Sequence, residues 1–449
     1  MMRTIAPLLA KAIASFAISG YAAHQLLLSS PLAPVVLHHP VCMTLTCLIV
    51  SLAGLTYYLR VWIQDYYVDW SYTGNNTNRN LTGHTAVVTG GTVGGLGFAA
   101  AELLYRQGAT VILTVRTTKK GDAALAQLNE SSLSSSSSSS SLDGEDRCRA
   151  SFVLCDFLSE SSVRNCAAEL TTKRCKGGGI DFLILNAGIS GRHAIQTKDV
   201  PNKHTSPNNN SNGDDDTATT MAKIWMTNHV GPWIFAQELM PSLIQAAKRN
   251  PSNNPRIVWV SSGAHKKSAI DWVDPFHLTS RKPGGGLTLL SSYGQSKLAN
   301  IMHMREYQKR VRECLHHHHE IPKTDDTPTT KSSSSIERRS GADVKCFAIT
   351  PGAVWTNMFF PNIPILWPIF WAVLRSPTRG AQVIKMACLD NDLNGGEYLS
   401  NCYVKESQGI DGCSNNEEQW KQLWELTAQQ VEKKVYETFF TSSADKKMD

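Results

Sequence analysis

Residues 87–98 read VVTGGTVGGLGF. An apolar run ends at Val88, and five of the eight residues from Gly90 to Gly97 are glycine. The next stretch, FAAAELLYRQG from Phe98, has a helical pattern. A strand, a glycine loop and a helix in that order form an anion site. Glycines let the backbone approach a pyrophosphate, and the helix N-terminus offers free N–H groups. Glycine loops also serve as plain turns, so this reading takes its weight from the residues downstream of the loop.

Outward from the loop the pattern repeats. TAVVTG, TVILTVR, SFVLCDF, DFLILNAG, RIVWVSS and VKCFAITPG are short runs of Val, Ile, Leu and Phe with little polar alternation. Such runs suit strands buried on both faces. Helical stretches such as KLANIMHMREYQKRVREC lie between them. Alternating strand and helix predicts an α/β fold: a Rossmann-type, doubly wound parallel sheet with helices on both faces.

Upstream, residues 41–59 contain no charge and end in Tyr57, Tyr58 and Leu59. As a helix this run would extend about 28 Å, close to the hydrocarbon thickness of a bilayer. Trp62, Tyr66, Tyr67 and Trp70 follow as an interfacial belt would. The expectation is a membrane anchor within residues 1–70 and a catalytic domain over 81–440. Three stretches interrupt that domain, at about 131–147, 198–219 and 313–341. They are rich in Ser, Asn, Asp, His and Thr, bury little apolar area, and read as disordered insertions. His316 to His319 lie in one of them and are read as low-complexity sequence; no metal site is expected. The net charge of +6 is spread without a basic, aromatic-laced stripe, so nucleic acid is not an expected partner. The eleven cysteines show no CxxC pair, which suits a reducing compartment.

SSYGQSK carries the chemistry. Tyr293 and Lys297 stand one helical turn apart and share a face. A nearby ammonium stabilises a phenolate and would bring the phenol down towards neutral pH. Tyr293 is then the general acid in reduction or the general base in oxidation.

With these motifs in this order, the chain resembles a short-chain dehydrogenase/reductase and, more narrowly, the retinol dehydrogenase-like, membrane-anchored members. The resemblance covers about residues 81–435. The family loop reads Thr-Gly, three residues, Gly, one residue, Gly. Thr89 and Gly90 fit when counted from the strand. Gly91, Gly95, Leu96 and Gly97 fit when counted back from the helix. The counts differ by one, so an extra residue sits between Gly90 and Gly95, where glycines can absorb it.

The resemblance implies further roles. Asp156 would hold the adenine, and Asn186, Ala187 and Gly188 would line the cofactor, with Leu185 replacing a frequent second asparagine. Pro351, Gly352 and Thr356 would lie under the nicotinamide, and Lys297 would hold its ribose. Ser262, with Ser261 as the less favoured register, would hydrogen-bond the substrate oxygen, and Asn228 would join a proton relay. Arg116 ends the second strand without an acid beside it, and Lys119 and Lys120 follow. A guanidinium there favours the 2′-phosphate of NADP(H). The expected activity is hydride transfer between NADP(H) and a lipophilic alcohol, ketone or aldehyde such as a retinoid or steroid. Rival readings are a reductase of a sterol intermediate or chlorophyll precursor, and a cofactor-binding scaffold without turnover. Residues 357–374, strongly apolar and broken by prolines, read as a substrate lid. The expected partners are that substrate and a membrane, with room for a homodimer. The expected location is the endoplasmic reticulum with a cytosolic catalytic domain, or a plastid membrane.

Overall fold

The computed structural model describes residues 21, 25, 40–66, 72–74, 79–133, 149–175, 178–190, 213–249, 254–274, 289–317, 343–356, 374–407, 409–410 and 412–433. They fall into two units.

The larger unit is built on an eight-stranded sheet: β1 (Thr85–Thr89), β2 (Thr110–Val115), β3 (Ala150–Leu154), β4 (Phe182–Leu185), β5 (Arg256–Val260), β6 (Lys345–Thr350), β7 (Tyr398–Ser400) and β8 (Tyr403–Lys405). The strand order is β3-β2-β1-β4-β5-β6-β7-β8. Every pairing through β7 is parallel, and β8 returns antiparallel. The order of the first six strands is that of a dinucleotide-binding fold. The six apolar runs are thus the first six strands; five are buried almost throughout, and β3, at the sheet edge, is only partly buried. Within them the pleat sorts side chains. Val87, Ile112 and Leu183 face one core, while Ala86, Val88, Val111 and Leu113 face the other.

In the smaller unit α1 (Pro40–Tyr66) contains the whole uncharged run 41–59 in 27 residues. Leu45, Leu48, Ile49, Leu52 and Tyr57 are exposed on it. Among the described residues, however, no helix is long and apolar enough to cross a membrane. The 27 residues of α1 have the length of a span.

In the larger unit α2 (Leu96–Arg106) follows the glycine loop, and Gly108, at φ +100°, turns the chain out of it. Next come α3 (Thr118–Leu133) and α4 (Glu160–Glu169), the latter extended by a π-helical turn, Leu170–Arg174. α5 (Gly213–Trp225) passes through a second π-helical turn, Met226–Val230, into α6 (Gly231–Arg249). α7 (Leu289–His317) carries the Tyr-Lys pair, and α8 (Gln382–Leu389) and α9 (Glu417–Glu432) complete the layers.

These helices correct the edges of the expected insertions. α3 runs three residues into the serine stretch, α5 starts at Gly213 inside the Asn/Asp stretch, and α7 continues to His317. The remainder of the three stretches lies outside the described residues, as do 357–373 of the expected lid and 275–288 of the segment before Tyr293.

Candidate active site

The order of neighbouring strands reverses at β1, between β2 and β4. Ligands of open α/β sheets bind beyond the C-terminal ends of such strands. Thr89 ends β1 there. Its hydroxyl accepts from the backbone N–H of Asn186 (2.8 Å) and Ala187 (2.9 Å) and donates to Ile184 O (3.2 Å). The Asn186 amide donates to Thr89 O (2.8 Å). Asn186 therefore braces the glycine loop; its side chain is committed to the loop backbone.

The loop answers the extra-residue question. Gly90 and Gly94 take φ of +69° and +75°, a region glycine enters without steric cost. Gly95 N–H closes a tight turn on Thr92 O (3.0 Å). The additional residue is taken up in that turn, and Gly95 still caps α2 without a side-chain bond of its own. Gly90 and Gly91 both donate to Thr114 O, so their amides hold the loop to β2. A Cβ at Gly91 would lie 2.6 Å from Leu113 Cδ2, and one at Gly97 would lie 2.7 Å from Gly90 O and run into the Asn186 amide. At Gly97 the obstacle includes backbone, so glycine alone fits; at Gly91 it is the Leu113 side chain, which would have to move.

Arg116, Lys119 and Lys120 are exposed just past β2. Asp156, past β3, is exposed and accepts from Leu158 N–H (3.1 Å), so one carboxylate oxygen forms a local turn. Pro351 and Gly352 follow β6, with Gly352 at φ +78°. Thr356 is half-buried and is the last described residue of that segment.

Tyr293 and Lys297 lie on one face of α7, with Lys297 Nζ 5.7 Å from the Tyr293 ring centre. Both are buried. The Tyr293 side chain is hydrogen-bonded to that of Ser262. The Ser261 hydroxyl donates instead to the backbone carbonyl of Lys297 (2.7 Å). This separates the two serines: Ser262 faces the phenol, and Ser261 bolts β5 to α7. Lys297 Nζ donates to Val260 O (3.0 Å).

Burial sets the acidities. It raises Tyr293 above its ordinary value, and the Ser262 hydrogen bond acts the other way. Burial pushes Lys297 down to about 8. Without a dinucleotide's charge beside it, burial is the larger effect on the phenol, opposite to the direction expected from a nearby cation.

Asn228 sits in the widened turn before α6 and is fully buried. π-helical turns recur at functional sites. Its amide accepts from Ile189 N–H (2.7 Å) and donates to Ile189 O (2.9 Å) and Ser296 Oγ (3.1 Å). A Cβ at Gly188 would lie 3.1 Å from Asn228 Oδ1 and 3.2 Å from Lys297 Nζ. Gly188 thus lets both polar groups approach the backbone closely. Apolar neighbours of Tyr293 are Ile224, Ile189 and Ala264.

Three supporting residues escaped the sequence reading. The Ser296 hydroxyl links Asn228 to Tyr293 O (2.7 Å). Asn300 donates to Asn228 O (3.0 Å) and pairs with His229 Nδ1 (3.2 Å). Gly294 leaves no room for a Cβ, which would meet Ala264 O at 3.0 Å and the Ser268 hydroxyl closer still. Their only sequence signal is adjacency to the Tyr-Lys pair. His229, fully buried, packs on Trp225 and His303, as a structural residue would.

A family model described as short chain dehydrogenase matches residues 84–273. Dehydrogenase/reductase SDR family member 13 from Bos taurus is 28% identical over 355 residues, covering 78% of this chain and 73% of that protein. Retinol dehydrogenase 12 from Mus musculus is 24% identical, covering 79% of this chain and 88% of its own. An NADPH-bound carbonyl reductase from chicken fatty liver, solved as a crystal structure, overlays with a TM-score of 0.46 at 20% identity, covering 75% of this chain and all of its own. Over residues 84–273, and along most of its length in these relatives, the chain is similar to short-chain dehydrogenases/reductases.

Proposed function

We propose that the chain is an NADP(H)-dependent oxidoreductase that interconverts a lipophilic alcohol and the corresponding ketone or aldehyde, a retinoid, steroid or other lipid. The observation that carries this reading is the hydrogen bond between half-buried Ser262 and buried Tyr293, with Lys297 on the same helical face as Tyr293. The glycine loop and the bare Cβ position at Gly188 fit a dinucleotide lying across the β1/β4 switch point. When bound, the dinucleotide supplies or accepts the hydride at its nicotinamide. Arg116, Lys119 and Lys120 supply positive charge for a 2′-phosphate at the end of β2.

The chain's own residues do the rest. Ser262 and Tyr293 orient the reacting oxygen, and Tyr293 gives or takes its proton. Lys297 holds positive charge beside Tyr293 and has a donor to offer a ribose hydroxyl. Asn228 and Ser296 fix the turn beneath them. Ile224, Ile189 and Ala264 line the approach to Tyr293 with apolar surface, which suits an apolar substrate. We assign α1 to a membrane anchor that would keep such a substrate near the site, at the endoplasmic reticulum with the catalytic unit in the cytosol or at a plastid membrane. A non-catalytic NADP-binding scaffold would have no need of buried Asn228, Tyr293 and Lys297 arranged around a half-buried Ser262.

The test is NADPH oxidation by the full chain in membranes, screened against retinoid, steroid and other lipid carbonyls, with Tyr293→Phe beside it. Turnover surviving in that variant would remove Tyr293 from the proton-transfer role.

A further inference from the structure

The serine loop has a second attachment on the side away from Tyr293. After Ser262 the chain forms a 3₁₀ turn, Gly263–Lys267. Inside it His265 is fully buried. The Ser262 carbonyl receives two bonds from this one residue, from the His265 backbone N–H (3.1 Å) and from ring Nδ1 (2.6 Å). A carbonyl only accepts, so Nδ1 carries the hydrogen. In a neutral ring Nε2 is then an acceptor, and it lies 3.1 Å from Ser407 Oγ. Ser407 is the donor in that pair. Ser407 and Ser414 are fully buried, and the Ser414 hydroxyl donates to Ser407 O. Ser414 O accepts in turn from Arg305 on α7 and from the Trp420 indole N–H (3.0 Å). A second strand of contact runs parallel: Ile410 N–H donates to Ser268 O (3.1 Å), and Ser268 Oγ donates to Ala264 O (3.0 Å).

We propose that His265 is a positioning residue for Ser262, locking the serine loop to the C-terminal segment through a fixed Nδ1–H ring clamped between the Ser262 carbonyl and the Ser407 hydroxyl. This rests on the reading of Ser262 and Tyr293 given under Proposed function. The charges of Lys266 and Arg305 and the edge-on Tyr398 ring (5.1 Å) surround the imidazole; burial and both cations hold it neutral. A neutral ring keeps Nε2 as an acceptor, so Ser407 can donate to it. The C-terminal segment, far from Ser262 in sequence, thereby sets the distance of Ser262 Oγ from the phenol.

The experiment compares His265→Ala, His265→Asn and Ser407→Ala in the full chain, with all-trans-retinal in micelles as the probe carbonyl and NADPH as reductant. The His265→Ala variant should lose about 10- to 100-fold in kcat, since small misplacements of catalytic groups cost that much, while the Kd for NADPH stays within about twofold. His265→Asn keeps a donor to the Ser262 carbonyl and should recover part of the loss. Ser407→Ala should lose about 3- to 10-fold, the worth of one neutral hydrogen bond. A His265→Ala variant with wild-type kcat, or one whose NADPH affinity falls in step with kcat, overturns the proposal. A turnover-free reading accompanies it. In protein labelled with 15N-histidine, the resonance that vanishes in His265→Asn should show the Nδ1–H tautomer and titrate below the ordinary histidine range. An Nε2–H tautomer or ordinary titration also overturns it. Tyr293→Phe separates the two readings. Undiminished turnover there sinks the proton-transfer assignment and the positioning role with it. Loss of turnover there alongside an unaffected His265→Ala sinks only the positioning role.

Discussion

The two sides of the site are made of different material. The glycine loop between β1 and α2 is an arrangement of backbone: Thr89 and Asn186 spend their polar atoms on main-chain groups, and Gly91 and Gly97 leave space that a Cβ would fill. The α7 side is an arrangement of buried ionisable side chains, Tyr293 and Lys297, whose acidities are moved by burial. Steric fit governs the first, and electrostatics governs the second. Substitutions on the loop should therefore act on binding and stability, and those on α7 on rate and pH dependence.

The largest effect expected from this division is at Tyr293. Tyr293→Phe should lower turnover by at least about 10³-fold, in the range lost with a positioned general acid, and leave the Kd for NADPH within about twofold. Equal losses in both, measured by NADPH fluorescence titration and steady-state kinetics, would erase the division. Next is Lys297. Its ammonium is lost as pH rises through about 8. The kcat/KM for carbonyl reduction should fall above that pH, and Lys297→Met should lie about 10²-fold below wild type with that inflection gone. The same group has a stability signature. Between about 8 and its ordinary value the unfolded chain binds a proton that the folded chain does not, so stability rises with pH across that window.

On the loop side, Arg116→Glu should shift preference from NADPH towards NADH by about 10- to 100-fold, the worth of a charge-assisted bond to phosphate, with kcat little changed. Gly97→Ala should cost about 1–3 kcal/mol of stability by overpacking and weaken NADPH binding without moving the pH profile. The smallest effect concerns the buried pair His229 and His303. Burial lowers His229 to about 3 and His303 in the same direction. Their contribution is complete above the ordinary value of 6.5 and is lost as pH falls towards about 3. The melting temperature should drop over that range, and His303→Phe should flatten the slope.

The loop and the α7 pair were legible in the sequence for different reasons. Glycine spacing records backbone geometry directly, and a Tyr-Lys pair one turn apart records a helical face. β1, β2, β4, β5 and β6 show as apolar runs because both their faces are buried, while β3 at the edge is only partly covered. β7 and β8 left no such run: each has three residues, and β8 is exposed. α5 was hidden under an acidic, Asn-rich composition. The Asn186 side chain braces the loop through a backbone carbonyl, a partner invisible in sequence. His265 stood beside the serine pair that ends the fifth apolar run, yet Ser407 lies too far along the chain for any spacing to suggest the contact.

The widened turn at Met226–Val230 has a consequence for how α5 and α6 are phased. A π-helical turn stores one surplus residue inside an otherwise regular helix, so α6 is rotated by about 100° relative to the continuation of α5. That offset lets Ile224 face Tyr293 while Trp233 packs edge-on to Trp424 of α9. Deleting a single residue there would keep the helix intact and turn one of its two faces towards the wrong neighbour.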